Sequence, residues 1–546
     1  MKNDENVIFM TRSFWNEMSI PQNIVRGIFN FYLGKNNQLI ESRTQAVVWL
    51  TKILDSIKEE LIQWLKKTNS NQAIKDLYLI LDKCFRFHLA QKEARKKLVV
   101  LNITHEDILN TFSENRNIAL TVISSTNLWL ENTLLFQHSL EDSTYDNASD
   151  ADNALFVKLY LYGLVSKTIS LLAMSKKFDE KELFYGINVT PQSNEPIEAL
   201  RYHPIIYFNP ALTGNQDAFD VTVEEYKNAD NSPFGSGFQD LHNISFLMSL
   251  RTMSTFQAEL LQNGKYAHVV ISKEHFISLI THYTSGCVDS KCFFDAFVLT
   301  EENISPQLKS GDNIIWIMGA NKYRHEIRPF ICLSNNTIAI SYAALEQAKH
   351  IWLSFFANGG MLYSNSSDKL TEASLNRNEE LSKQLVNIIR EKLRRHYNAS
   401  IDEIDIQYDR IFGQKEYNYG DYDLVFFAPK TNELYLIEAK FFSDSLNNSG
   451  IINDYEKLFR ENGYYDHCRK RCDLAISESD KLKKFLGVSK NIFVHFLFVS
   501  SKPLEIEFTD NDGIVSFPCL SIFDDYIKGN LISEDGTKTI RPTHLL

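Results

Sequence analysis

Residues 421–440 contain two apolar runs separated by a short polar segment, and this pattern predicts a β-hairpin. The first run is DYDLVFFA, the second is ELYLIEAK, and PKTN at 429–432 lies between them. Branched and aromatic residues favour strands, whereas Pro and Asn are frequent in turns. With a four-residue loop, the antiparallel register places Asp423 directly opposite Glu438.

Three charged side chains are expected on one face of this hairpin. Opposed residues share a face, which puts Asp423 and Glu438 about 4.5 to 5.5 Å apart. Strand alternation adds Lys440 to that face. It also adds Asp421, either as a further ligand or as a solvated residue where the strand begins. Two close carboxylates repel unless a cation lies between them, and oxygen ligands suit Mg²⁺ or Mn²⁺, so we expect a divalent metal site.

An acid on one strand followed by Glu-x-Lys at the end of the next resembles the core of the PD-(D/E)xK, or restriction-endonuclease-like, nuclease superfamily. GDYDLV followed by LIEAK looks much like its Holliday-junction-resolvase and Mrr-like branches, although Tyr422 stands where the pattern has Pro. The resemblance implies a Mg²⁺-dependent or Mn²⁺-dependent nuclease. Asp423, Glu438 and the Ala439 carbonyl would hold the metal, and Lys440 would serve the attacking water or the phosphate.

Other patterns are less specific. A second Glu-x-Lys at 225–227 lies in a polar run without a partner strand, which predicts a surface segment. Acids of the preceding helix lie off its apolar stripe, so we expect them to be solvated: Glu379, Glu380 and Glu391. Two His/Cys groups lack the fourth ligand of a zinc site and are interpreted as core thiols with ordinary histidines: His467, Cys468 and Cys472, and His282, Cys287 and Cys292.

A basic segment follows the hairpin. With a net charge of −12, the whole chain cannot attract nucleic acid through its overall field, so contact requires a local basic surface. Residues 454–485 are predicted to form one long cationic helix on which Arg469, Lys470 and Arg471 are adjacent. Such a helix would bind phosphates, or it would be an ordinary solvated face. These three residues are candidate nucleic-acid contacts.

The chain is long enough for several domains, and its periodicity changes along its length. We predict a multidomain protein with an α-helical region at 1–184, a mixed α/β module at 185–362, and a carboxy-terminal α/β domain at 376–546. A polar connector, 363–378, would join the last two. The resemblance covers about 376–525 and implies a restriction-endonuclease-like fold there, a central mixed sheet flanked by helices.

Seven scattered cysteines and the lack of a long apolar run favour a cytoplasmic protein with no membrane partner. The leading hypothesis is a nuclease that acts on DNA, with amino-terminal regions for sensing, substrate recognition or oligomerisation. This layout looks like that of bacterial anti-phage defence effectors, which suggests a homo-oligomer or a partner protein of a defence system. The alternatives are a catalytically inactive nuclease-fold scaffold or sensor, and a nucleic-acid-binding protein whose amino-terminal helices do the work.

Overall fold

The computed structural model describes most of the chain. The described residues are 12–101, 106–136, 149–174, 186–194, 196–200, 221–262, 268–304, 306–309, 323–359, 368–442, 454, 457–502, 504, 515–530 and 544–546.

Long helices form the amino-terminal region, as predicted. They are α1 (Phe14–Glu17), α2 (Gln22–Leu33), α3 (Arg43–Lys67), α4 (Ser70–Leu101), α5 (Glu106–Thr133) and α6 (Ser149–Met174). The apolar stripe of α3 is buried, including Ile53, Ile57 and Leu61. The apolar character of α6 is explained by burial on nearly all sides along 155–165.

A small antiparallel sheet joins the amino-terminal helices to residues beyond 185. Its strands are β1 (Gln38–Ile40), β2 (Gly186–Val189) and β3 (Ile197–Leu200), in that spatial order. Ile187, Val189 and Ile197 belong to the core of the helical region. The first strands of the predicted middle module therefore pack with the amino-terminal helices.

The middle module is mixed α/β. Its helices are α7 (Val223–Lys227), α8 (Pro233–His242), α9 (Phe246–Gln262), α10 (Lys273–Tyr283), α11 (Ser290–Phe297), α12 (Pro306–Lys309) and α13 (Tyr342–Asn358). Its strands are β4 (His268–Ser272), β5 (Val298–Leu299), β6 (Phe330–Cys332) and β7 (Thr337–Ser341), in spatial order β4-β7-β6-β5.

The middle module contains a short hairpin and a helix with a glycine cap. β6 and β7 form the hairpin around Asn335 and Asn336, and α13 ends at Gly359. Gly359 has φ 62°, and a Cβ there would lie 2.1 Å from the Ser374 carbonyl oxygen, so glycine is required. Residues 312–319, whose apolar run DNIIWIMG predicts a strand, lie outside the described residues.

A buried polar cluster lies between the amino-terminal helices and the middle module. The Glu131 carboxylate on α5 accepts a hydrogen bond from the His325 backbone N–H at 2.8 Å. The His325 ring contacts the Asn127 side-chain oxygen at 2.7 Å and the Tyr78 hydroxyl at 3.2 Å. Burial raises the pKa of Glu131 to about 8 and lowers the pKa of His325 to about 3, so both side chains favour the neutral form.

The predicted polar connector is instead helical from Asp368 onward, in α14 (Asp368–His396). Leu370 and Ala373 pack in the core of the middle module, next to α8, where a Cβ on Gly237 would lie 2.8 Å from the Leu370 Cα. Leu381 and Leu385 pack against the carboxy-terminal sheet. These buried side chains fall at helical spacing, so one apolar stripe crosses the polar sequence.

The carboxy-terminal domain contains a mixed sheet. Its elements are β8 (Ile401–Gln407), α15 (Tyr408–Phe412), β9 (Asp421–Ala428), β10 (Glu433–Lys440), α16 (Tyr464–Ser477), α17 (Ser479–Leu486), β11 (Phe493–Ser500), β12 (Val515–Ser516), α18 (Phe523–Lys528) and β13 (His544–Leu545). The order is β12-β11-β10-β9-β8, with β13 also on β11. β10 and β11 are parallel, whereas β9 is antiparallel to both β8 and β10.

The sheet separates two cores. Val425, Leu434 and Leu436 face the core that includes α16 and α17, whereas Leu424, Phe426 and Ile437 face the core that includes α14 and α18. Strand alternation therefore directs Asp423, Glu438 and Lys440 to the α16 side.

Two sequence expectations for this domain need correction. The predicted single basic helix at 454–485 is interrupted twice: residues 460–463 form a turn after helical residues 457–459, and the Glu478 backbone leaves the helical region between α16 and α17 (φ −111°, ψ 32°). Glu478 also pairs with Lys415 and Lys481 at this break. Strand β8 was not predicted, since IDEIDIQ is mostly polar and lies at the edge of the sheet.

Candidate active site

The hairpin has the predicted register. β9 and β10 pair from Ala428 with Glu433 to Leu424 with Ile437, and Asp423 and Glu438 are the next positions. The Lys440 ammonium lies 2.7 Å from Glu438 Oε1 and 3.5 Å from Asp423 Oδ2. The three charged side chains predicted from the sequence therefore meet, with the ammonium in contact with both carboxylates.

Ala439 enters the site through its backbone. Its N–H donates a hydrogen bond to Asp423 Oδ2 at 2.6 Å, which fixes the acid of β9 against β10. For the Ala439 carbonyl, the role of metal ligand stays a prediction.

Arg471, expected among the nucleic-acid contacts, lies inside the site. Its residue exposure is 6%, so the guanidinium is buried. One NH group donates to Glu438 Oε2 and another to the carbonyl oxygen of Asp421. The guanidinium carbon also lies 5.6 Å from the Tyr422 ring centre. Arg471 thus joins α16 to both strands of the hairpin.

Arg469 and Lys470 lie on the outer side of α16. Arg469 Nε donates to Asp473 at 3.2 Å, and Lys470 Nζ contacts the Tyr417 hydroxyl at 3.2 Å. Both side chains are half-buried. Their part in nucleic-acid binding stays a prediction.

An acid from β8 that the sequence did not reveal completes the carboxylate group. Asp405, Asp421 and Asp423 each offer an oxygen within 4.8 Å of the others. Asp405 lies opposite Asp423, between the pairs Ile404–Leu424 and Ile406–Tyr422, and its φ of 54° is left-handed. The same register arithmetic would have found Asp405, had β8 been recognised as a strand.

The charges of the site set its protonation. Burial and the charge of Glu438 raise the pKa of Asp423 to about 6. Burial would also raise the pKa of Glu438, but Lys440 and Arg471 lower it below its usual range. For Lys440, burial works to lower the pKa, and the charges of Glu438 and Asp423 overcome it and raise the pKa. Near neutral pH, Glu438 is ionised and Lys440 is protonated.

These donors fit a hard divalent cation. Asp423 belongs to two groups of oxygens, one with Asp405 and Asp421 and one with Glu438. Carboxylates are the ligands that Mg²⁺ and Mn²⁺ prefer, with waters in the remaining positions.

The alternative ligands lie elsewhere. The α14 acids are exposed and pair with cations of their own helix: Glu379 with Lys383, Glu380 with Arg377 and Glu391 with Arg394. Cys468 and Cys472 are buried in the core as interpreted, whereas the interpretation as core thiols is wrong for the other group, since Cys287 is exposed and Cys292 is half-buried. Within the described ranges, the one group of three potential metal ligands is the aspartate trio.

Glu225 lies in α7 and caps that helix with Thr222, so the second Glu-x-Lys is not on a strand.

Comparison with family models, curated proteins and solved structures finds no match to this chain. None of the helices in the described ranges is long and apolar enough to cross a lipid bilayer.

Proposed function

We propose that this chain is a metal-dependent nuclease that hydrolyses phosphodiester bonds in DNA. One observation carries the proposal: Asp423, Glu438 and Lys440 converge on one face of a mixed sheet. The helices on both faces of that sheet are what the restriction-endonuclease-like resemblance implies.

The site residues have separate roles in this proposal. Asp423 would hold Mg²⁺ or Mn²⁺ together with Glu438 or with the acids Asp405 and Asp421. When bound, the ion supplies a water of lowered pKa and neutralises charge on the phosphate. Lys440 would donate a hydrogen bond to the scissile phosphate or orient the attacking water. Its side chain is 25% exposed, which leaves the ammonium within reach of a ligand.

Nucleic acid would approach along the α16 side of the sheet. Arg469 and Lys470 lie on that helix, and phosphate contacts there would make binding steeply dependent on salt. The amino-terminal region and the middle module would serve sensing, recognition or oligomerisation in a cytoplasmic defence effector. The continuous helix α14 supports such coupling, because it packs against both the middle module and the carboxy-terminal sheet.

A cleavage assay tests the nuclease. Purified protein is incubated with plasmid, linear duplex and single-stranded DNA, with Mg²⁺ or with a chelator. We expect Mg²⁺-dependent cleavage that is lost in Lys440→Ala. The matched control is Lys227→Ala in the second Glu-x-Lys, which should cleave like the wild type. Equal cleavage by Lys440→Ala and the wild type would rule out the assigned site.

A non-catalytic nucleic-acid-binding scaffold is the second candidate. It is favoured by one observation: both oxygens of Glu438 are paired with cations, as in a purely structural ion-pair cluster. Calorimetric titration with Mn²⁺ separates the two functions. Uptake that disappears in Asp423→Asn supports the nuclease, whereas no uptake supports the scaffold.

A further inference from the structure

Resting on the nuclease function proposed above, we propose that metal uptake is a cation exchange. The Lys440 ammonium holds the cation position between Asp423 and Glu438 in the metal-free protein and leaves it when the metal binds. Arg471 stays on Glu438 throughout and is a positioning residue. Of the two cations beside Glu438, Lys440 would therefore move when the metal binds and Arg471 would not.

The location of the ammonium carries the first step. Lys440 Nζ is 2.7 Å from one carboxylate and 3.5 Å from the other, so it lies between the two acids that would hold the metal. A divalent cation and an ammonium cannot share this space, because like charges repel strongly in a partly buried site. Binding of a metal between these acids therefore requires Lys440 to move.

The attachments of the two cations decide which one moves. Arg471 is held by two strands at once, through Glu438 and the carbonyl oxygen of Asp421, and its side chain is 7% exposed. Removing it would leave a buried carbonyl and a carboxylate oxygen without their donor. Among the described residues, the ion-pair partners of the Lys440 ammonium are the two carboxylates that the metal would take over, and its side chain is 25% exposed.

A place for the displaced ammonium lies close by. Lys440 Nζ is 5.6 Å from the ring centre of Tyr464, the first residue of α16. An aromatic face attracts a cation at this range. Lys440 can therefore give up the carboxylates and remain beside the site, where it would contact the phosphate.

Exchange predicts that the native lysine weakens metal binding. A neutral side chain of similar length leaves the two carboxylates without their competing cation, so the metal should bind more tightly. Arginine at this position keeps a cation beside the carboxylates, so it should not produce this gain.

Calorimetric titration of the full-length protein with Mn²⁺ tests the exchange. We expect Lys440→Met to bind Mn²⁺ at least tenfold more tightly than the wild type, and Lys440→Arg to bind no more tightly. Lys227→Met, which removes the lysine of the second Glu-x-Lys in α7, is the matched control and should bind like the wild type. In chelator, Lys440→Met should unfold at a lower temperature, and Mn²⁺ should raise its midpoint more than that of the wild type.

Failure of the exchange and failure of the nuclease proposal give different results. If the wild type binds Mn²⁺ through Asp423 but folded Lys440→Met binds no more tightly, the exchange is overturned and the metal site stands. If neither protein binds Mn²⁺, the metal site itself is overturned. If Lys440→Met binds Mn²⁺ and the wild type does not, the result supports the exchange.

Discussion

Asp423 accepts a hydrogen bond from the backbone N–H of Ala439, so the acid of one strand is fixed by the strand that carries Glu438 and Lys440. An asparagine oxygen can accept the same hydrogen bond, which separates the structural role of Asp423 from its charge.

Asp423→Asn should lose metal binding and keep the fold. The substitution removes a ligand charge but retains the acceptor for Ala439. Because burial and Glu438 raise the pKa of Asp423, the metal-free variant should be at least as stable as the wild type near neutral pH. Mn²⁺ calorimetry should show at least a roughly tenfold loss of affinity, a typical cost of about 1.4 kcal/mol. Clear destabilisation in chelator would contradict this separation.

Arg471→Met should destabilise the carboxy-terminal domain by about 3 kcal/mol, because it leaves Glu438 buried without one of its partners. Chemical denaturation measures the loss. The control is Arg469→Met, whose ion pair with Asp473 is more exposed and should be worth under about 1 kcal/mol. Adding Glu438→Gln to Arg471→Met should recover part of the stability. Equal losses of stability in Arg471→Met and Arg469→Met would argue against a buried ion pair at Arg471.

Asp405→Asn should weaken Mn²⁺ binding if the ion contacts the aspartate trio. Asp405 contributes one of the three oxygens that lie within 4.8 Å of one another. We expect a roughly tenfold loss, about 1.4 kcal/mol. Glu391→Gln on the exposed face of α14 is the control and should bind normally. Unaltered affinity in Asp405→Asn would place the ion on the Glu438 side of Asp423 alone.

Stability should fall as the pH rises from 6.5 to 8. The pKa of Glu131 is raised from 4.5 to about 8, so in this window the folded state binds a proton that the unfolded state has lost. Stability then decreases by about 1.4 kcal/mol per pH unit. Between pH 4.5 and 6.5, the lowered pKa of His325 makes stability rise with pH, and this rise cancels the fall that Glu131 causes.

Glu131→Gln should remove the loss of stability between pH 6.5 and 8. Relative to the wild type, the variant should gain stability as the pH rises from 4.5 to about 8, because it no longer carries the raised pKa of Glu131. Denaturation curves at several pH values measure both profiles. A variant that still loses stability above pH 6.5 would show that another group is responsible.

The sequence predicts the hairpin well because strand alternation and loop length together determine its register. Asp423, Glu438 and Lys440 follow from that arithmetic. Arg471 does not, since its position depends on how α16 packs over the sheet and on which side of that helix is buried. Asp405 was missed for another reason: an edge strand with a polar sequence lacks the apolar run that identifies β9 and β10.

The continuity of α14 has a practical consequence for dissecting the protein. A cut at 376, the predicted start of the carboxy-terminal domain, would divide a single helix, and a middle module that ends at 362 as predicted would lack Leu370 and Ala373, which complete its core. The middle module prepared without them would present an open apolar groove and aggregate readily. A fragment that begins at Asp368 would carry the same two side chains into solvent. Limited proteolysis should therefore spare this helix and cut first outside it.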